Sequence, residues 1–249
     1  MKRKFECTRD GLHIRGYEYR TRFGILPAVI LSHGFLANKD TVKNYAKLIS
    51  RLGYAAFTFD FSGGGPLSES DGDSRDMTVF TELSDLKAVI DSVSERKNIR
   101  KDNILLLGCS QGGVVSALAA KELGEKIKKL ILLYPAFCIP DDARRGKMMK
   151  AQFDPDDIPD VIMTDPMTVG GEYARSVISL SLSDIIGEYK GPVLILHGTR
   201  DRIVDISYAR EAAEKYQDIE YHEIEDAGHG FRKKKYKIAA EYIKNFIKK

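Results

Sequence analysis

Apolar positions along this chain fall into two alternating rhythms. Short, nearly continuous apolar runs occur at 27–34 (PAVILSHG), 54–60 (YAAFTFD), 103–108 (NILLLG), 129–135 (KLILLYP), 191–198 (GPVLILHG) and 219–224 (IEYHEI). Runs this short and this apolar predict strands covered on both faces, as in a parallel sheet. Between them, apolar residues recur at helical spacing. One set is Val42, Tyr45, Ala46, Ile49 and Leu52; another is Leu83, Leu86, Ile90 and Val93; the last is Tyr236, Ala239, Ala240, Ile243 and Phe246. Each predicts an amphipathic helix. The N-terminus differs: KFECT and LHIRGYEYR alternate on either side of Asp10-Gly11, which predicts an antiparallel hairpin. Strand then helix, repeated after an antiparallel start, predicts an α/β fold with a mostly parallel central sheet and helices on both faces.

One interval breaks the rhythm. Phe137–Leu182 is long, charged and punctuated by proline (CIPDDARRGKMMKAQFDPDDIPDVIMTDP). It is too long for an ordinary connection. We read it as a lid subdomain, residues 137–182, inserted into a single 1–249 domain over the sheet's carboxyl edge, where such folds place their ligands.

Composition narrows the function. Lys and Arg number 39 against 36 Asp and Glu, a formal net charge of +3. A dedicated nucleic-acid binder would carry a stronger basic excess, so nucleic acid is not expected as a partner. Cys7, Cys109 and Cys138 are scattered and odd in number, without metal-ligand spacing. That predicts no disulfide framework, no metal and a reducing, cytoplasmic compartment. The basic start MKRKFECTRD has no apolar stretch after it that would make a signal peptide, and no run approaches a membrane span.

The chemistry centres on LLLGCSQGG, 105–113. Ser110 follows a predicted strand and precedes a predicted helix, the context of a nucleophile elbow. Gly108 and Gly112 suit a sharp turn that lifts the hydroxyl clear of the sheet, and the Gln111 backbone N–H then faces the place where an oxyanion forms. A serine hydroxyl needs a general base. Of five histidines, His229 in DAGHGF lies in a loop after the last predicted strand, where it has no packing duty. The plain alternative is a surface-loop histidine. Asp201, in LHGTRD, follows the preceding strand and completes the chain order Ser, Asp, His. Asp205 and Asp226 are its rivals: the first suits a helix start, the second a brace for the histidine loop. The loop SHGFLANKD points to the Phe35 N–H as a second oxyanion donor, with Gly34 allowing close approach.

SHGF, DFSGGGPLSESDGDSRDMTVFTELSDL, GCSQGG, HGTRD and DAGHGF stand in an order that resembles the α/β-hydrolase superfamily over nearly the full length. More narrowly, the chain resembles bacterial feruloyl (cinnamoyl) esterases, which pair HGF with GxSQGG, carry a DMT…E…DL segment and insert a small lid. The resemblance implies a serine carboxylesterase that releases hydroxycinnamic acids from a small-molecule ester without a cofactor. It also implies lid groups that hold the phenolic end of the acyl group, for which Asp142 and Tyr173 match by position. Cys109 and Gly64 stand where that family commonly has histidines. A homodimer is the candidate assembly.

Other signals lead elsewhere. SGGGP lacks the Lys-Ser/Thr of a phosphate loop, and Asp154–Asp157 lacks the EF-hand offsets. Arg232–Lys235 reads as a solvated charge run at the start of the last helix. Two rival functions share the fold. A peptidase, thioesterase or lactone hydrolase would carry the same triad, whereas a non-catalytic binding module would be expected to have lost part of it.

Overall fold

The apolar runs become strands that all point one way, with the N-terminal hairpin added antiparallel at one edge. The computed structural model describes residues 1–249. In chain order it has β1 (Lys2–Arg9), β2 (Leu12–Tyr19), β3 (Leu26–Ser32), α1 (Lys43–Arg51), β4 (Ala55–Phe59), α2 (Val79–Ser94), β5 (Ile99–Cys109), α3 (Gln111–Leu123) and β6 (Ile127–Leu133). An inserted stretch follows: α4 (Ile139–Arg144), the short strands β7 (Lys147–Met148), β8 (Ala151–Gln152), β9 (Val161–Met163) and β10 (Thr168–Gly170), and α5 (Glu172–Val177). The chain closes with α6 (Leu182–Ile186), β11 (Val193–Gly198), α7 (Ile206–Lys215), β12 (Ile219–Ile224) and α8 (Lys233–Lys248).

Eight strands form one sheet in the order β1-β2-β4-β3-β5-β6-β11-β12. The hairpin joins it antiparallel through β2 and β4, and the remaining pairings are parallel. Alternation along each strand sorts side chains to two faces. Ile30, Phe57 and Leu106 pack with Leu86, Val89, Val115 and Leu118 of α2 and α3. Their neighbours Val29, Leu31, Leu105 and Leu107 pack on the other face with Tyr45, Ile49, Ile243 and Phe246 of α1 and α8. Burial on both faces is why these strands read as apolar runs rather than alternating ones.

Register then places the functional loops. Ser32 pairs with Gly108, Cys109 with Leu133, and Leu133 with Leu196. The carboxyl ends of β3, β5, β6 and β11 therefore lie side by side. The loops that carry Phe35, Ser110, Tyr134 and Asp201 leave from that single edge, and β12, paired through Gly198 and Ile224, adds the loop of His229. No helix is long and apolar enough to cross a membrane.

Candidate active site

Ser110 is held in a conformation that serine rarely adopts, with φ 54° and ψ −122°. Such strain costs about 1–3 kcal/mol and persists only where surrounding structure enforces it. Here three backbone hydrogen bonds do so: the Ser110 N–H donates to Leu133 O at 3.0 Å, and its carbonyl accepts from Gly113 N at 2.9 Å and Ala136 N at 3.0 Å. The turn also needs close approach. A Cβ on Gly112 would run into the Ser32 and His33 carbonyls, and one on Gly34 would stand 2.9 Å from the Ser110 Cβ. The sequence therefore fixes where the hydroxyl emerges, between the end of β3 and the start of α3.

His229 Nε2 lies 2.9 Å from Ser110 Oγ, and His229 Nδ1 lies 2.8 Å from Asp201 Oδ2. A carboxylate facing Nδ1 keeps the proton on that nitrogen, which leaves Nε2 to accept from the serine hydroxyl. The other Asp201 oxygen accepts from the N–H groups of Ile203 at 2.9 Å and Val204 at 3.0 Å. Burial pushes the Asp201 carboxyl pKa up, but the hydrogen bonds from His197, His229 and the Val204 N–H outweigh it and hold it below the ordinary carboxylate range. Neither rival acid stands in this position. Asp205 caps α7 through the Ser207 N–H, and Asp226 pairs with Arg200 at 2.7 Å.

Two backbone N–H groups near the elbow have no partner in the chain. Gln111 opens α3, so its N–H has no partner within the helix. The Phe35 N–H meets no acceptor in the chain. Both residues line a cavity of about 250 Å³ that also contains Ser110, Asp142 and Tyr173. Asp142 comes from α4 and Tyr173 from α5, so the inserted stretch walls this cavity. The Tyr173 hydroxyl donates to Gln111 Oε1 at 2.5 Å. Lys147, Lys150 and Arg202 also border the cavity, and Asp142 is the one acid among its lining residues. Cys109 lies behind the elbow in the core, where burial pushes its thiol up to about 12.

Three further contributors take roles the sequence motifs do not spell out, although His197 lies in HGTRD and Glu82 in the DMT…E…DL segment. The Tyr134 ring stands edge-on to the His229 imidazole, 4.8 Å between centroids, and packs on Phe231 at its other side. His197 is fully buried, 3.3 Å from Asp201 Oδ2 and 3.1 Å from Val204 O. Glu82, also buried, accepts from Gln111 Nε2 at 2.8 Å. Tyr134 and His197 each end a predicted strand at the carboxyl edge.

A Ser–His–Asp line on the carboxyl edge of a mostly parallel sheet defines a serine hydrolase of the α/β-hydrolase class. Residues 26–165, more than half the chain, match the family described as Serine aminopeptidase, S33, and the chain belongs to that family. Among solved structures it is similar to Est1E from Butyrivibrio proteoclasticus with ferulic acid bound, at 28% identity and a TM-score of 0.91 over 98% of this chain and 97% of that one. The AB hydrolase superfamily protein YisY of Bacillus subtilis is 26% identical over 92% of this chain and 96% of its own length. Against a Mycoplasma genitalium protein with an esterase/lipase name, the match is 32% over 106 residues, so the chain spans 37% of that relative's length.

Proposed function

We propose that the protein hydrolyses esters of hydroxycinnamic acids through an acyl-enzyme on Ser110. The observation that carries this reading is the hydrogen-bonded line Ser110–His229–Asp201 opening onto a mostly apolar cavity. The ferulic acid bound to the similar Est1E supports the acyl class. Ser110 Oγ attacks the ester carbonyl as His229 Nε2 takes its proton, and Asp201 stabilises the imidazolium that results. The N–H groups of Phe35 and Gln111 receive the oxyanion; losing one such donor typically costs on the order of 10²–10³ in rate. His229 then passes its proton to the leaving alcohol, and water, activated by the same imidazole, releases the acid. Asp142 and Tyr173 are the proposed contacts for the acyl group's hydroxyl.

The family description favours a second reading, an aminopeptidase. The lining argues against it. An aminoacyl amide brings a free ammonium into the site, and the cavity has three cationic side chains, Lys147, Lys150 and Arg202, to one acid. Turnover of methyl ferulate, p-nitrophenyl acetate and an aminoacyl p-nitroanilide by one preparation separates the two. Ester cleavage far above amide cleavage, with methyl ferulate preferred in kcat/KM, is expected. Preferential cleavage of the anilide would overturn the ester reading.

A further inference from the structure

The triad mechanism leaves one buried acid unused. Glu82 lies in α2, 1% exposed, and touches neither Ser110 nor the cavity. Its Oε2 accepts from Gln111 Nε2 at 2.8 Å, while its Oε1 has no partner at all. A buried carboxyl with an idle oxygen is costly and calls for a purpose. The contact continues. Met77 Sδ lies 3.8 Å from the same Gln111 nitrogen, so both acceptors stand on the amide's NH₂ side. The amide oxygen is thereby turned towards the inserted stretch, where the Tyr173 hydroxyl donates to it. The relay Glu82–Gln111–Tyr173 thus joins α2, the residue after the nucleophile and the lid helix α5.

The direction of the protons has a consequence. A phenol has one hydrogen to give and two lone pairs. With its hydrogen committed to Gln111, Tyr173 keeps only acceptor capacity for anything else in the cavity. We propose that Glu82 is a positioning residue that sets acyl specificity: by fixing the Gln111 amide it makes Tyr173 a hydrogen-bond acceptor, so the cavity favours aryl acyl groups carrying a free hydroxyl over their methyl ethers. This rests on the acyl-pocket reading above. Without Glu82 the amide can turn, Tyr173 can donate as well as accept, and the preference fades.

The test is a ratio. It compares kcat/KM for methyl 4-hydroxycinnamate with that for methyl 4-methoxycinnamate, two esters that share every reacting atom, so a general loss at the oxyanion donors cancels. The parent protein is expected to favour the hydroxy ester by about tenfold or more, because a site built to pair a hydroxyl rejects the analogue that lacks it. Glu82→Met should lower the ratio at least about threefold, chiefly through KM, with Asp142 holding what preference remains, and Glu82→Gln, which keeps an acceptor facing Gln111, should restore it. An unchanged ratio in folded Glu82→Met would overturn the proposal. If that variant does not fold, Gln111→Met breaks the relay at its middle and is read the same way. If the parent cleaves neither ester, the hydroxycinnamate reading falls by itself. The Kd values of the two free acids for the Ser110→Ala and Ser110→Ala/Glu82→Met proteins then decide the relay, and equal ratios in both would overturn it.

Discussion

The elbow and the inserted stretch are built in opposite ways. Around Ser110 every backbone position is over-determined: three hydrogen bonds hold a strained serine, glycines admit the neighbouring chain, and Leu105, Leu106 and Leu107 behind it are almost fully buried. Residues 137–182 consist of two six-residue helices and strands of two or three residues, with Val161, Met163 and Met149 exposed. The first region places reacting atoms to a few tenths of an ångström, which is what proton transfer and oxyanion stabilisation demand. The second contributes cavity wall, where apolar area and a few polar groups suffice. On the proposed function, reaction type belongs to the rigid edge and acyl choice to the inserted wall.

Substitutions should divide along that line. The largest effect is expected from Ser110→Ala, a fall in kcat of roughly 10⁶-fold with the fold intact, measured on p-nitrophenyl acetate. Asp201→Asn comes next, at about 10⁴-fold, because an amide at that place no longer enforces the Nδ1–H form of His229. Both losses should be the same for short and aromatic acyl esters. Asp142→Ala belongs to the other region. It should raise KM for methyl ferulate about tenfold while kcat on p-nitrophenyl acetate changes less than about threefold; equal losses on the two esters would erase the division.

The smallest expected effect is one of stability. Burial raises the Glu82 pKa well above the ordinary 4.5, and the nearby Asp85 charge adds to it, although the Gln111 hydrogen bond opposes the shift. As pH rises from 4.5 towards the folded value, the unfolded chain ionises at this residue and the native protein does not. The native state therefore loses stability over that window, by about 1.4 kcal/mol per pH unit at most. Glu82→Gln does not titrate, so its melting temperature should gain on the parent's as pH rises above 4.5. A difference that stays flat with pH would show that Glu82 is ionised in the native protein.

Much of the rigid region was legible in the sequence because its rules are local. Gly-Cys-Ser-Gln-Gly does not decide the matter alone, but it stands between an apolar run and a helix-period segment, and the loops of Asp201 and His229 could be placed from the strands before them. Tyr134 against His229 was not legible, because it depends on strand register; His197 beside Asp201 sits within HGTRD, but the spacing alone does not show that the turn brings the two side chains together. The Glu82–Gln111–Tyr173 relay joins residues 29 and 62 positions apart, so the DMT…E…DL segment marks Glu82 without showing what it touches. The inserted stretch carries too few residues per element for any periodicity to show.

The mechanism stands on Ser110, activated by His229, as the nucleophile. Reaction with a fluorophosphonate, followed by peptide mass spectrometry, tests it most directly. One adduct per chain is predicted, located on Ser110, with labelling that falls steeply in folded His229→Ala protein. An intact, folded protein that takes no label at Ser110, or takes it equally fast without His229, would rule out this nucleophile and base.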